Sequence, residues 1–380
     1  MTTKKLSAVL VALLATASAF VPFGGAANAA YRFSDFQGKP PVHVYKSAQL
    51  KPSGVTPAEI KKIYNLPATG GKGTIALIDA YDDANMESDL AAFDKQFNLP
   101  TCTTANKCFE KHEMASGTAA NSGWAMETSL DVEWAHAIAP AAKILLVEAK
   151  TPSGANLLSA IDYAASRKDV VAISMSWGGA EFSDELSYDS HFVDKANAAA
   201  AFFASSGDDG TGASWPASSP NVIGVGGTSL SLASSGALIA ESAWSGSGGG
   251  VSAYEKEPSW QTAYKISKAN GMRAIPDVSY DADPASGYPV YLSTGTGSKA
   301  KGSWNTVGGT SAGAPQWAAI QALGGTAVLA KFYTDKASTS TLKYFRDITS
   351  GSNGDCTYYC SARKRYDYVT GLGSPQTIKF

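Results

Sequence analysis

The sequence predicts an α/β domain with a mostly parallel central sheet and helices on both faces. Apolar runs of strand length recur along the chain: "GTIALIDAYDD", "AKILLVEAK", "DVVAISMSWG", "AAFFASSGDDG" and "NVIGVGGT". Helical stretches lie between them, among them "MESDLAAFDKQF", "NLLSAIDYAASR" and "DSHFVDKANAAA". Near-continuous apolar runs mark strands buried on both faces, and the intervening helices supply the cover. The strand ends turn polar or glycine-rich at Asp79–Asp82, Ser176–Gly179 and Ser206–Gly210. Sites in such sheets form at those carboxyl ends.

The elements follow in order. Lys4 and Lys5, an apolar run from Leu6 to Phe20 and the small-residue ending Ala27-Asn28-Ala29 form a secretory signal peptide over 1–29. The protein is therefore expected to be secreted and extracellular. No later run is long enough to span a bilayer, so no membrane anchor is expected. Residues 30–55 are polar and Pro-containing and read as an extended N-terminal arm. "GVTPAEIKKIYNLP" reads as a short helix leading into one domain over 56–380, Thr74–Ala80 as its first buried strand, and "WAMETSLDVEWAHAIAP" as a long helix. There is no internal repeat and no dividing linker.

Composition narrows the class. Removing the leader takes away two lysines and no acid, so the formal charge moves from -2 to -4. That balance excludes a nucleic-acid or polyanion partner. With 37 glycines and 17% charged residues, the chain reads as a compact exported protein with many turns and not as a disordered one. The four cysteines fall as Cys102/Cys108 and Cys356/Cys360, and in an exported chain each pair reads as a local disulfide. Zinc is the rival, but the pairs lack C-x-x-C spacing and a histidine nearby in sequence.

The chemistry centres on "GGTSAGAPQW", where Ser311 sits between a glycine turn and a helix-prone stretch. Such a serine either caps the helix or is a nucleophile held at its N-terminus. A nucleophile needs a base. None of the four histidines, His43, His112, His136 and His191, lies in a Gly-rich or strand-end setting. Glu127 and Asp131 instead share one face of the long helix. On spacing alone they suit a solvated acidic helix. In a buried cleft they would repel, one would keep a proton, and the pair could take the proton of a serine at acid pH. Asp208, in "SSGDDG", is either a turn former or a protonated donor to an oxyanion.

Together these residues resemble the sedolisins, serine-carboxyl peptidases of the subtilisin-like clan. Glu127-x-x-x-Asp131, "SSGDDG", "WPASSPNVIGVGGT", "GGTSAGAP" and the closing pair "FRDITSGSNG" and "YDYVTGLGSP" occur in the family's order. The resemblance implies a subtilisin-like fold and an endopeptidase acting on protein or peptide substrates at acid pH through an acyl-enzyme. Ser311 would be the nucleophile, Glu127 the general base with Asp131 behind it, and Asp208 the oxyanion donor beside the Ser311 N–H. Asp79 would be structural. The resemblance further implies one structural calcium ion on Asp347, Ile348, Arg363, Arg365 and Asp367, where Arg363 and Arg365 replace the usual glycines and would contribute carbonyls. The protein is expected to be a monomer. Only about 25 residues lie between the leader and the domain, too few for a folded propeptide. The competing readings are a non-catalytic binding protein on the same fold and a histidine-based serine hydrolase, although "GGTSAG" is not a G-x-S-x-G elbow.

Overall fold

The computed structural model describes residues 31–379 apart from 194, 197–199, 326–327 and 335–342. The leader read over 1–29 lies outside the described residues.

In chain order the elements are β1 (His43–Gln49), α1 (Pro57–Ile63), β2 (Thr74–Ala80), α2 (Met86–Phe97), β3 (Phe109–Glu113), α3 (Ser122–Ile138), β4 (Lys143–Ala149), α4 (Gly154–Ala165) and β5 (Val170–Met175). The short β6 (Gly179–Ala180), β7 (Ala201–Ser205), the short β8 (Ser214–Trp215), β9 (Ile223–Leu232), β10 (Leu238–Ala243) and β11 (Gly250–Lys256) follow. The rest are α5 (Ser259–Tyr264), β12 (Met272–Ile275), β13 (Val278–Asp281), β14 (Tyr288–Thr294), β15 (Lys301–Gly308), α6 (Gly313–Ala322), α7 (Leu329–Phe332), β16 (Phe345–Arg346) and β17 (Ser374–Pro375).

Eight strands form the central sheet, in the order β10-β9-β7-β5-β2-β4-β3 with β13 also on β9. All its pairings are parallel except β10 on β9. The mostly parallel sheet with helices on both faces is therefore as the sequence predicts. Strand alternation divides the core. Ile75 and Leu77 of β2, with Ile144 and Leu146 of β4, pack on the side of α3 and α6. Ala76, Ile78, Leu145 and Val147 pack against α4 on the other. The strand order reverses direction between β5 and β2, and that crevice is where such sheets bind ligands.

Helix α1 opens on a capping box: Thr56 and Glu59 bond reciprocally, with Pro57 in the first turn. Helix α3 is buried along nearly its whole length because a second layer covers it. That layer consists of α2 and the antiparallel sheet β1-β15-β14. Asn121 caps α3, its side chain accepting the N–H groups of Gly123 at 3.0 Å and Trp124 at 3.2 Å. Both local disulfides, Cys102–Cys108 and Cys356–Cys360, are formed.

One segment departs from expectation. "DSHFVDKANAAA" reads as helix; its first four residues, Asp189–Phe192, instead end a 3-10 helix over Glu185–Phe192, and 194 and 197–199 lie outside the described residues. His191 Nδ1 and Lys195 Nζ both reach Asp162 Oδ1 on α4, at 2.9 and 2.6 Å.

Candidate active site

The chain leaves β15 at Gly308, turns through Thr310–Ala312 and enters α6. Gly309 has φ +130°, and a Cβ there would stand 1.9 Å from the Pro41 carbonyl oxygen and 2.5 Å from Asp208 Oδ2. Only glycine fits. The turn seats Ser311 at the N-terminal end of α6, whose dipole favours developing negative charge. Ser311 is fully buried, and its hydroxyl donates to the Pro41 carbonyl at 2.9 Å.

Asp208 lies in the loop after β7. Its Oδ1 accepts the Thr310 N–H at 2.8 Å and the Thr310 hydroxyl at 2.7 Å. Gly207 N–H in turn donates to Thr310 Oγ1 at 3.1 Å. These bonds lock the β7 loop to the serine turn. Burial raises the Asp208 carboxyl above its usual range, opposed by His43 and Thr310.

Glu127 and Asp131 on α3 are both fully buried, so the solvated-helix reading fails. The Ser176 hydroxyl, one residue past β5, lies 2.7 Å from Asp131 Oδ1 and 3.1 Å from the Ser311 carbonyl oxygen. It ties the carboxyl helix to the serine turn. Burial pushes both carboxyls well up. For Glu127 the charge of Asp131 adds to this, while the neighbouring Ser311 side chain favours its ionised form. Neither Glu127 oxygen makes a complete hydrogen bond, because the Ser311 hydroxyl is turned to Pro41. Asp79 on β2 is also fully buried, with both oxygens unbonded, and is pushed up by burial and then by Asp131. Such a cluster cannot ionise freely and titrates as a unit.

The histidines divide differently from expectation. His136 is buried with Nε2 2.8 Å from the Pro100 carbonyl, and burial lowers its pKa to about 4. His112 stacks on Tyr163 at 3.8 Å, and His191 is held by Asp162. His43 does reach the site: it begins β1 opposite Gly308, and its Nε2 lies 3.0 Å from Asp208 Oδ2. Sequence reasoning missed His43, Pro41 and Ser176. "PPVHVY" carried a signal, two prolines leading into a period-two stretch, and Ser176 stood at a strand end.

The expected calcium residues gather around one turn. Asp367 Oδ2 accepts the Arg363 N–H at 3.0 Å, and Asp347 accepts the Arg365 N–H at 2.9 and 3.0 Å. Burial raises both carboxyls, Asp367 to about 7. The Arg363 guanidinium points elsewhere, donating to the Thr357 and Tyr358 carbonyls and lying 4.2 Å over the Tyr358 ring. Asp367 is buried and Asp347 half-buried. Asp367 Oδ1 also accepts the Val369 and Thr370 N–H groups at 2.9 and 2.8 Å, so both carboxylates are served by backbone donors and no calcium site is evident among the described residues. By contrast, the cluster of Asp82, Glu113 and Glu148 is served by the Lys111 ammonium, 3.1 Å from Glu148 and also bonded to Asp82.

A buried serine at a helix start, facing buried carboxyls beneath a mostly parallel switch-point sheet, defines the subtilisin-like α/β class. The model of the subtilase family matches residues 49–342, and the chain belongs to that family. Within it the relatives are those the motifs indicate. Sedolisin of Pseudomonas sp. (strain 101) is 28% identical over 371 residues, covering 86% of this chain and 60% of the relative. Kumamolisin of Bacillus sp. (strain MN-32) is 30% identical over 373 residues, covering 88% and 64%. The chain thus spans 60–64% of the length of these curated relatives. Among solved structures, Pseudomonas sedolisin, a serine-carboxyl proteinase complexed with two molecules of pseudo-iodotyrostatin, matches with TM-score 0.71 at 28% identity, covering 87% of this chain and 96% of that one. A lanthipeptide protease matches at TM-score 0.50 and 15% identity, a likeness of fold alone.

Proposed function

We propose that the protein is a secreted serine-carboxyl endopeptidase that hydrolyses peptide bonds at acid pH through an acyl-enzyme on Ser311. The observation that carries this reading is the Ser176 hydroxyl, 2.7 Å from Asp131 and 3.1 Å from the Ser311 carbonyl, which joins a buried carboxyl pair to the serine turn.

In the proposed reaction Glu127 accepts the Ser311 hydroxyl proton as Oγ attacks the substrate carbonyl carbon. Asp131, fixed by Ser176, stands behind Glu127. One ionised member of the buried set suffices as base. Protonated Asp208 and the Ser311 N–H donate to the oxyanion. Glu127 then delivers the proton to the leaving amine, and water releases the acyl group by the reverse proton path. Burial raises Asp208, which favours the donor form this role requires. Acid pH keeps it protonated.

A structural calcium ion belongs to the same proposal, held by the Asp347 and Asp367 carboxylates and the Ile348, Arg363 and Arg365 carbonyls. It would balance buried charge between two C-terminal segments. The proposed substrates are proteins or peptides, the protein is a monomer, and the site takes no nucleic acid. Among the described residues no helix is long and apolar enough to cross a membrane. The test is digestion of dye-labelled casein from pH 3 to 8 by the protein and by Ser311→Ala. Digestion that persists in the variant, or that peaks near pH 8, overturns the proposal.

A further inference from the structure

The sheet β1-β15-β14 delivers the nucleophile: β15 ends at Gly308, and the serine turn follows. Its last strand is β14, and among the described residues no strand pairs with the outer edge of β14. Backbone groups along a covered edge need partners from somewhere. Here side chains of two helices stand in for the missing strand, at alternate residues 289, 291 and 293. Trp134 Nε1 on α3 donates to the Pro289 carbonyl at 3.0 Å, at the one position of the three with no N–H to offer. Glu133, next to it on α3, accepts the Tyr291 N–H on its two oxygens at 3.0 and 3.3 Å. Asp89 on α2 accepts the Ser293 N–H at 2.7 Å and the Ser293 hydroxyl at 2.5 Å. Asn85, just before α2, donates to the Ser293 carbonyl at 3.2 Å. Glu133, Trp134 and Asp89 are all buried.

We propose that Glu133 is a positioning residue, which through the Tyr291 N–H sets α3 against the β14–β15 hairpin and so sets the distance from Glu127 to Ser311. This rests on the peptidase reading of the same site. The proposed base and the nucleophile come from different elements, and two ties join those elements. Ser176 bridges Asp131 to the Ser311 carbonyl, at 2.7 and 3.1 Å. Glu133 and Trp134, two and three residues further along the same helix, bond to β14. One tie would let the helix pivot about it; two fix its translation and its rotation. The path from Glu133 to the nucleophile is short. Tyr291 pairs with Trp304 of β15 and Tyr288 with Val307, and Gly308 hands the chain to the turn.

Glu133 touches no reacting atom, and its charge is not what the role needs. Burial raises its carboxyl, the Tyr291 N–H opposes, and Asp89 and Asp94 add to the rise. Protonated, the group still has a carbonyl oxygen to accept the Tyr291 N–H. An amide at this position has the same acceptor, whereas an alkyl side chain has none. Proton transfer from Ser311 to Glu127 is sensitive to distance, and a misplacement of about 1 Å can cost roughly 100-fold in rate. The loss therefore belongs in kcat and not in KM.

The test uses the full chain, with kcat and KM measured on dye-labelled casein at pH 4 and thermal melting recorded beside them. Glu133→Leu keeps most of the volume and strands the Tyr291 N–H. It should lower kcat by about tenfold or more with KM within about twofold of the parent, while Glu133→Gln recovers kcat to within about twofold. Trp134→Phe removes the donor to Pro289 and keeps a ring. It should lower kcat by about threefold, and it carries the test should Glu133→Leu not fold. A seal with no positioning role would shift melting and leave the kcat of the folded variants at the parent value. That result, a loss carried by KM, or equal losses in Glu133→Leu and Glu133→Gln each overturn the inference while the peptidase reading stands. No digestion by the parent at any pH from 3 to 8 overturns the peptidase reading, and the positioning role falls with it.

Discussion

Replacing Asp208 separates the proposed oxyanion donor from a structural turn former. Asp208 Oδ1 accepts two bonds from Thr310, at 2.8 and 2.7 Å, and its other oxygen lies beside Gly309 at the serine turn, 3.0 Å from His43 Nε2. The Asp208→Asn change keeps an oxygen for Thr310 and presents an amide NH2 in place of the carboxylic O–H. Asp208→Ala keeps neither and strands the Thr310 N–H. Losing one oxyanion donor typically costs about 10²–10³ in kcat, or roughly 3–4 kcal/mol. Asp208→Ala should therefore fall by that factor, and Asp208→Asn by about tenfold or less. The two should also differ in pH dependence. On the proposed mechanism the parent should lose activity as pH rises and Asp208 sheds its proton, from a pKa that burial has raised. An amide does not ionise, so Asp208→Asn should lose this alkaline limb. The assay is kcat/KM on dye-labelled casein from pH 3 to 8, with thermal melting as the folding control. Equal rates for the two variants, or an unchanged alkaline limb in Asp208→Asn, would refute the donor role.

Four further outcomes rest on the same geometry. Glu127→Gln should abolish nearly all turnover at every pH while melting at or above the parent temperature, since it removes a buried charge; normal turnover in the purified variant excludes Glu127 as base. Stability should run opposite to ordinary acid denaturation: burial raises Asp94 and Glu148 to about 7, so the folded state holds their protons and loses stability as pH rises from about 4 through 7. A melting temperature that climbs over that window contradicts it. Chelation with EGTA should lower the melting temperature, and Asp367→Asn should abolish that response; a melt insensitive to EGTA in both rules out a stabilising calcium. Gly309→Ala should destabilise and inactivate together, because its Cβ would fall 1.9 Å from the Pro41 oxygen at φ +130°; a fully active, parent-like variant contradicts the close approach.

The sheet was legible because its signal is local. Thr74–Ala80 reads as a buried strand from consecutive residues, all of them buried. The disulfides were legible because each closes a short loop. The carboxyl pair was only half legible. Spacing places Glu127 and Asp131 on one face of α3, but their burial depends on a second layer from α2, β14 and β15. The strands of that layer are remote in sequence: the Trp134 indole reaches the Pro289 carbonyl across 155 positions. The arm was least legible. Pro41 and Ser311 lie 270 positions apart, and nothing local to "GKPPVHVY" shows that it pairs with β15.

The buried carboxyls connect stability to the proposed chemistry. Glu127, Asp131, Asp79 and Asp208 are all pushed up, with burial the largest cause in each. At neutral pH such a cluster must either ionise at a cost to the fold or be neutralised by a partner. Among the described residues His43 is the cation brought against it, and it reaches Asp208. A histidine base at Ser311 would be neutral, and able to take a proton, only above its own pKa. Carboxyls have the opposite preference, since acid lowers their mutual repulsion and supplies the proton that Asp208 must donate. The same acid removes the charge that holds His43 in place. One protonation event therefore relieves the fold and supplies the proposed oxyanion donor, which is why the pH profiles of melting and of turnover should share their turning region.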